Sequence, residues 1–257
     1  MGNSASYVPP EKKSVIYPKF EDDQGSLDGK TYAVTGCTTG TGLVVAKLFA
    51  KKGAARVFLL NRPSGRAEAA LAAVQAVAAE ECVVTHVDCD LTDFGAVRKA
   101  AGIVATVTKE SGLDVLCNNA GVMALADRAT KDGYDIQMQT NHLSHFLLTK
   151  ELYPVLVKAV ELRGEARIVN HSSFARNGPP GTKLTTENTY EYLGKNGGNL
   201  GGDGASTTVR KSTTRHRAEW WGRDCFDGAQ VYDLRWCAMG TILIHEVSQR
   251  GLHACIT

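Results

Sequence analysis

Residues 35–42 read TGCTTGTG, and they lie where a predicted strand at residues 30–34 turns into a predicted helix that begins near residue 42. Glycines at such a junction let the backbone turn tightly and approach a ligand closely. The helix that follows directs free backbone N–H groups and the positive end of its dipole at the same point. The pattern therefore predicts a site for an anion such as a pyrophosphate, although a glycine-rich turn without a ligand reads the same way.

Length and composition narrow the class of protein. The chain has 257 residues, a formal net charge of +2 and 22% charged residues, so charge gives no reason to expect a nucleic-acid partner. No apolar run approaches the roughly 20 residues that a membrane-spanning helix needs. Seven scattered cysteines without metal-binding spacing or a signal peptide favour a reducing compartment. The sequence therefore predicts one cytoplasmic α/β domain.

Strands and helices alternate along the chain. Further apolar runs at residues 56–60, 82–87, 113–117 and 166–170 predict strands. Helical patterns at residues 42–52, 64–80, from Thr92 onward and at 137–160 lie between them. Apolar strands joined by helical crossovers indicate a parallel sheet covered on both faces. We therefore expect a Rossmann-type doubly wound domain over residues 29–257, preceded by an N-terminal extension over residues 1–28.

The alternation breaks after the fifth strand. Residues 174–231 are rich in glycine and polar residues, as expected either of a lid over the substrate or of a change of reading frame in the gene. Residues 237–247 are predicted to form a buried helix, and residues 252–257 to begin a sixth strand. The sheet is thus expected to be incomplete after strand six.

Three more segments accompany the glycine turn at the ends of predicted strands. They read DCDL at residues 88–91, NNAG at 118–121 and RIVNHSS at 167–173, and the helix between the last two contains NHLSHFLL at 141–148. In these segments the chain resembles the short-chain dehydrogenase/reductase family, and the retinol-dehydrogenase-like branch in particular. The resemblance is tight over residues 28–175 and loose beyond them, and it implies a chain truncated at its C-terminus relative to the family.

The resemblance implies a dinucleotide site. The three glycines of the turn would hold the pyrophosphate, Asp90 and Leu91 would flank the adenine, and the NNAG segment would line the cofactor. The residues so assigned are Thr35, Gly36, Thr39, Gly40, Thr41, Gly42, Asp90, Leu91, Asn118, Asn119, Ala120 and Gly121.

The end of the second strand distinguishes NAD from NADP. An acidic residue there binds the ribose 2′-hydroxyl, whereas an arginine accommodates a 2′-phosphate. This chain has Asn61 and Arg62 and no acid at that point, with Arg66 a turn further on. Because a guanidinium pairs well with phosphate oxygens, the sequence favours NADP(H) over NAD(H). The alternative is that Arg62 is an ordinary surface arginine.

The resemblance also implies a catalytic set: a serine that holds the substrate oxygen, a tyrosine that exchanges its proton, a lysine four residues later, and an asparagine that organises the proton path. Ser173 matches the serine, with Ser172 as the alternative, and Asn141 matches the asparagine. No metal is implied. The tyrosine and lysine pattern is absent, since no tyrosine of the chain is followed by lysine at the fourth position.

Tyr232 is the best positional match for the missing tyrosine, because it begins the helix that would precede strand six. Arg235, three residues later, would share its helix face and partly replace the lysine, although a guanidinium is not equivalent to an ammonium. Tyr192 lies three residues before Lys195, one residue short of the family spacing, and its surroundings are glycine-rich sequence typical of a loop. Tyr232 could also be a partly buried tyrosine with no catalytic role.

These features predict an NADP(H)-dependent oxidoreductase that transfers hydride between the nicotinamide and a lipophilic carbonyl or alcohol substrate. The lost tyrosine and lysine spacing leaves two alternatives: a dinucleotide-binding sensor or interaction protein, or a truncated product without function. Relatives commonly form homodimers, which the resemblance extends to this chain. The N-terminal MGNSAS fits the N-myristoylation pattern at Gly2, and one such chain would give weak, reversible membrane contact.

Overall fold

The computed structural model describes residues 17–122, 125, 129–171 and 242–248 of the chain. Within them, the five strands predicted from the sequence are confirmed, each to within two residues at either end. The strands are β1 Thr31–Thr35, β2 Arg56–Asn61, β3 Val83–Asp88, β4 Val115–Asn118 and β5 Glu165–His171.

These five strands form one parallel sheet in the order β3-β2-β1-β4-β5. The chain starts at the central strand β1, steps outward through β2 to β3, and returns to the other side of β1 to form β4 and β5. In this doubly wound arrangement ligands bind at the carboxyl ends of the strands, where the two halves diverge. The predicted Rossmann-type α/β fold is confirmed.

Helices connect the strands and cover the sheet. They are α1 Tyr17–Asp23, α2 Gly40–Lys51, α3 Gly65–Gln75, α4 Phe94–Thr108, α5 Ile136–Met138 and α6 Ser144–Arg163, with a π-helical turn at Gln139–Leu143 between α5 and α6. Among these described helices, none combines the length and the apolar character that crossing a bilayer requires.

The apolar strand residues alternate between two cores. Val57 and Leu59 of β2 pack with apolar residues of α2 and α3 on one face of the sheet. Phe58 and Leu60 pack on the other face with apolar residues of α4 and α6. Because successive side chains of a strand point to opposite faces, burial of both faces favours an apolar run, and residues 57–60 of β2 supply one.

A predicted helix is replaced by a strand near the C-terminal end of the chain. Residues 237–247 were expected to be helical, whereas β6, Ile242–Ser248, pairs antiparallel with β5, from Ile242 opposite His171 to Ser248 opposite Glu165. The segment reads ILIHEVS, and its β-branched residues favour strands. That helix prediction was wrong for residues 242–247. The strand predicted at residues 252–257 lies outside the described residues.

Two other helices differ from the pattern predicted. The helix expected over residues 64–80 ends at Gln75, because the chain turns away and the Ala79 N–H donates to the Ala50 carbonyl of α2 at 2.9 Å instead. Its N-cap is Ser64, whose hydroxyl accepts the Ala67 N–H. The single helix expected over residues 137–160 is interrupted by the π-helical turn, which brings three consecutive residues to the binding cleft described below.

The predicted N-terminal extension contacts the domain in its described part, residues 17–28. Glu21 of α1 forms an ion pair with Lys51 of α2 at 2.6 Å. The Leu27 N–H donates to the Lys52 carbonyl at 3.0 Å, and the Leu27 side chain packs against the core under α2. The segment that leads into β1 is thus held against the C-terminal end of α2.

Candidate functional site

A cleft of about 670 Å³ runs along the carboxyl edge of the sheet. Its wall is built from the segments that follow β1, β2, β3 and β4, from the π-helical turn, and from His171 at the end of β5. In a doubly wound fold this is the place at which ligands bind. Of the residues predicted from the sequence, those that line it are Gly36, Thr39, Thr41, Gly42, Asn61, Arg62, Asp90, Leu91, Asn119, Ala120, Gly121 and Asn141.

The floor of the cleft is organised by the hydroxyl group of Thr35, which is 1% exposed. Its oxygen accepts the backbone N–H groups of Asn119 and Ala120, each at 3.0 Å. Both lone pairs are then used, so the hydroxyl proton points to His145 Nε2 at 2.9 Å, which is closer than the Cys117 carbonyl oxygen at 3.4 Å. One side chain therefore joins the ends of β1 and β4 to helix α6.

The side chain of Asn119 holds the glycine turn against the end of β4. Its Nδ2 donates to the carbonyl oxygens of Thr35 at 3.0 Å and Gly36 at 3.2 Å. A Cβ atom on Gly42 would lie 2.4 Å from the Gly36 carbonyl oxygen and 2.5 Å from that Nδ2. Gly42 is therefore required by close packing within the turn, and the Asn119 contact depends on it.

Gly40 has a different role in the same turn. Its φ of +59° favours glycine, and a Cβ atom there would meet nothing within 4 Å among the described residues. It begins α2, and the N-cap residue Thr39 makes no side-chain hydrogen bond to the helix. The first turn of this 12-residue helix therefore presents backbone N–H groups and open space, which suits an anion.

The end of β2 presents one buried amide and two arginines to the cleft. Asn61 is 4% exposed, and its Oδ1 accepts the Cys37 N–H at 2.7 Å. Its Nδ2 lies buried at the cleft with no hydrogen-bond partner in the described part of the chain. Arg62 and Arg66 are exposed there, and neither forms an ion pair with a described residue. These donors suit a phosphate better than a neutral hydroxyl.

The end of β3 forms the neighbouring wall. Asp90 Oδ1 accepts both the N–H and the hydroxyl of Thr92, at 2.9 and 2.8 Å, which fixes the carboxylate in place. The Leu91 carbonyl accepts the Ser144 hydroxyl at 2.6 Å, which joins this wall to the start of α6. Burial raises the pKa of the Cys89 thiol to about 12, so this cleft residue stays a neutral thiol and not a nucleophile.

Three consecutive residues of the π-helical turn, Thr140, Asn141 and His142, line the cleft. Thr140 is 6% exposed, and its hydroxyl has no hydrogen-bond partner among the described residues. The Asn141 amide binds the backbone of Val122 twice, accepting its N–H and donating to its carbonyl, each at 2.8 Å. Asn141 thus fixes the cleft wall that follows β4, and its predicted part in proton transfer stays a prediction.

Several predicted residues lie elsewhere. Thr35 and Asn118 are buried beneath the cleft and do not line it, and Asn118 Nδ2 donates to Thr149 and Asn170. Gly40 lies at the start of α2 and is absent from the cleft wall. The predicted catalytic residues Ser173, Tyr232 and Arg235, together with Ser172, lie outside the described residues.

Three further residues belong to the site: His145 and His171 lie in segments that the sequence already placed near it, whereas Thr140 gained importance only from the structure. Thr140 and His171 line the cleft, and His145 binds the Thr35 hydroxyl below it. The sequence carried one usable signal, since Thr140 immediately precedes the matched Asn141. Nothing in the sequence indicated that Thr140 would be buried without a partner, because burial depends on contacts that a single sequence does not display.

Known proteins are similar to this chain in sequence and in fold. The family model described as short chain dehydrogenase matches residues 30–183. An uncharacterized oxidoreductase of Schizosaccharomyces pombe is 37% identical over 161 residues, 62% of this chain and 46% of that protein. Human retinol dehydrogenase 11 is 38% identical over 152 residues, 59% of this chain and 45% of that protein. The chain spans about half the length of the curated relatives that it matches.

A solved structure is similar over most of both chains. The NADPH-bound carbonyl reductase from chicken fatty liver superposes with a TM-score of 0.52 and 25% sequence identity, covering 77% of this chain and 75% of that one. The similarity agrees with the parallel sheet and flanking helices described above.

The first prediction concerns the Thr35 hydroxyl. Thr35→Val keeps the shape but removes the acceptor of two backbone N–H groups, so we expect the free energy of unfolding to fall by about 2 to 4 kcal/mol. Thr35→Ser keeps the hydroxyl and loses one methyl group, which costs about 1 kcal/mol. Urea denaturation measures both. Equal stability of the two variants would contradict the role assigned to the hydroxyl.

Proposed function

This chain belongs to the short-chain dehydrogenase family, and from that premise we propose that it transfers hydride between NADP(H) and a lipophilic carbonyl or alcohol substrate. The family match and the NADPH-bound neighbour support a nicotinamide cofactor. The observation that carries the finer proposal is the end of β2, where a buried amide donor and two arginines face the cleft. The same position carries no carboxylate, which is the group that would bind an unphosphorylated ribose.

The donors at the end of β2 fit a 2′-phosphate. Asn61 is oriented by its bond to the Cys37 N–H, so its Nδ2 has one fixed direction, and it is a donor only. Arg62 and Arg66 are exposed cations at the same wall. A phosphate would supply acceptors to all three residues, and the buried Nδ2 would gain the partner that the described residues do not offer.

The remainder of the cleft fits the rest of a dinucleotide. The start of α2 with Gly40 suits the pyrophosphate, and Asp90, held by Thr92, would accept from the adenine amino group. We assign the Thr140 hydroxyl to the nucleotide as well, because the turn that carries it leads to Ser144, which contacts Leu91 beside the adenine position. Two buried polar atoms, one on Asn61 and one on Thr140, would then be satisfied by one ligand.

The catalytic roles follow the family pattern. Bound NADP(H) would supply or accept hydride at nicotinamide C4. Ser173 would hold the substrate oxygen, and Tyr232 would give a proton to that oxygen or take one from it. Arg235 would lower the pKa of the tyrosine by its charge, and Asn141 would hold the wall beside them.

The proposed substrate class rests on a relative, and the proposed homodimer and membrane contact rest on the family resemblance and the sequence. The name of human retinol dehydrogenase 11 supports a lipophilic alcohol or aldehyde. A homodimer and weak membrane contact through a myristoylated Gly2 are part of the proposal. A second function is favoured by the missing lysine four residues after a tyrosine: a protein that binds the dinucleotide without turning it over and serves as a sensor or interaction partner.

The cofactor assignment is tested at Arg62. Arg62→Leu should raise the dissociation constant of NADPH by about 10- to 100-fold, because a charge-assisted hydrogen bond to phosphate is lost, and should leave that of NADH unchanged. Arg98→Leu, on α4 in an exposed ion pair with Glu151, is the matched control and should alter neither. Fluorescence titration measures both cofactors. An equal loss for NADH and NADPH at Arg62 would overturn the assignment.

Removal of the Thr140 hydroxyl should weaken NADPH binding without lowering the stability of the free protein. Thr140→Val keeps the volume and removes a buried hydroxyl that has no described partner, so the free protein should be at least as stable as the wild type. NADPH binding should weaken by about 3- to 10-fold, since one neutral hydrogen bond is lost. Thermal melting with and without NADPH measures both effects. A less stable free variant with unchanged NADPH affinity would contradict the assignment.

Turnover tests the activity itself. Wild-type protein should oxidise NADPH in the presence of a lipophilic aldehyde such as decanal. Tyr232→Phe should lower kcat by about 100-fold or more, because the proton donor is removed, and should leave NADPH binding intact. Tyr134→Phe is the control, since that ring packs at a tilted angle against Phe94 and does not line the cleft. NADPH binding without turnover in the wild type would favour the sensor function instead.

A further inference from the structure

Three of the eight large apolar side chains that the described residues expose lie in one region of the surface. Ile103 and Val107, on successive turns of α4, are 40% and 45% exposed, and Val83 at the start of β3 is 46% exposed. Val87 packs with α4 in the core, so Val83, four residues earlier on the strand, faces the same side of the sheet. Because α4 runs back toward the amino ends of the strands, its second half and Val83 lie at the same end of the sheet. A cluster of exposed apolar side chains is typical of a docking surface.

The exposed face of α4 has the spacing of a helix that pairs with another helix. Four exposed side chains follow one another at intervals of four, three and four residues, as in the seam of a coiled coil: Lys99, Ile103, Thr106 and Glu110. These four side chains form the α4 stripe. Glu110 lies two residues beyond the end of α4, but Lys109 before it keeps helical backbone angles, so the stripe continues to Glu110.

The charges of the α4 stripe complement themselves when two copies of the helix pack antiparallel about a twofold axis. Lys99 then faces Glu110 of the second copy, and Glu110 faces Lys99 of the second copy, with Ile103 and Thr106 between them. A parallel pair would instead oppose like charges. Neither Lys99 nor Glu110 forms an ion pair with a described residue, so both charges are available to a second copy.

Two residues on this face suit the close approach of a second helix. Gly102 lies inside α4, where glycine is less favourable than alanine, and a Cβ atom on it would meet nothing within 4 Å. Packing against the described residues therefore does not require a glycine there, whereas a neighbouring helix backbone could approach it closely. The Thr106 hydroxyl donates to the Gly102 carbonyl at 2.8 Å, so a second copy could cover Thr106 without leaving its hydroxyl unpaired.

We propose that α4 is a docking surface for a second copy of this chain, which packs antiparallel on the α4 stripe. A second copy is favoured over an unrelated partner because it brings the opposite charges in the required order. One helix face is small for a permanent assembly, so we expect a concentration-dependent dimer with a dissociation constant of about 10 to 100 μM. The inference names the surface of the homodimer included in the proposed function, and it depends on no cofactor or catalytic residue.

Charge reversal tests this pairing. Lys99→Glu places two carboxylates at each end of the helix pair, and Glu110→Lys places two ammonium groups there. Each single variant should raise the dissociation constant of the dimer by about 10-fold or more, because two attractive pairs become repulsive. The double variant restores opposite charges and should return to within about 3-fold of the wild type. Sedimentation equilibrium at low ionic strength, where these charges are least screened, measures all four proteins.

The apolar centre of the stripe gives a second test. Ile103→Ser should raise the dissociation constant by about 10-fold, because a side chain that the second copy would bury loses most of its apolar surface. Leu162→Ser is the matched control, since Leu162 is 50% exposed at the end of α6, away from the stripe, and its loss should leave dimerisation unchanged. All the substituted side chains are exposed, so thermal melting should show that every variant is folded.

Four results would overturn the proposal. The first is a wild type that stays monomeric up to about ten times the expected dissociation constant, which also removes the homodimer from the proposed function. The second is a dimer that neither single reversal weakens, and the third is a double variant that does not recover; both leave the homodimer on another surface. The fourth is a loss of dimer in Leu162→Ser as large as that in Ile103→Ser.

Titration with NADPH keeps this test separate from that of the proposed activity. None of the substituted residues lines the cleft, so every variant should bind NADPH as the wild type does. A wild type that dimerises through the α4 stripe but does not bind NADPH would contradict the proposed activity and leave the docking surface standing. A dimer that forms only when NADPH is bound would overturn the docking surface as described, because the stripe lies outside the cofactor site.

Discussion

The hydroxyl group of Thr35 is the constraint on which the rest of the site depends. It accepts two backbone N–H groups from the segment after β4 and directs its own proton to His145. Because it is buried, water cannot replace any of these partners, and each unpaired group would cost about 1 to 3 kcal/mol. Asn119 completes the arrangement by binding the carbonyl oxygens of the glycine turn. The orientation of the start of α2 therefore depends on hydrogen bonds to the segment after β4 as well as on the glycines of the turn.

The same arrangement leaves buried polar atoms without partners at the cleft. Folded proteins satisfy nearly all such atoms, and exceptions in one cleft indicate that something else completes the bonding. Asn61 Nδ2 and Thr140 Oγ1 are two exceptions among the described residues, and they belong to different segments of the cleft wall. A single extended ligand with acceptors at both positions would satisfy them together, and the arginines beside Asn61 add the charge that a phosphate requires.

Much of the fold and part of the cleft could be predicted from the sequence, for identifiable reasons. Strands β1, β2 and β4 were predictable because both of their faces are buried, which makes each a largely apolar run. The glycine turn was predictable because its glycines lie between such a run and a segment with helical spacing of apolar residues. β6 was not, because a short apolar segment suits a buried helix and a strand equally well until its pairing partner is known. Thr140 owes its importance to contacts between distant segments.

The measurement that tests the account most directly is a fluorescence titration of the wild-type protein with NADPH and, separately, with NADH. The site described here predicts saturable NADPH binding in the micromolar range, at least about 10-fold tighter than NADH, because the 2′-phosphate gains charge-assisted hydrogen bonds that NADH lacks. Tighter binding of NADH would contradict the reading of the β2 end while leaving the fold intact. No binding of either cofactor to a protein that melts cooperatively would contradict the dinucleotide site itself.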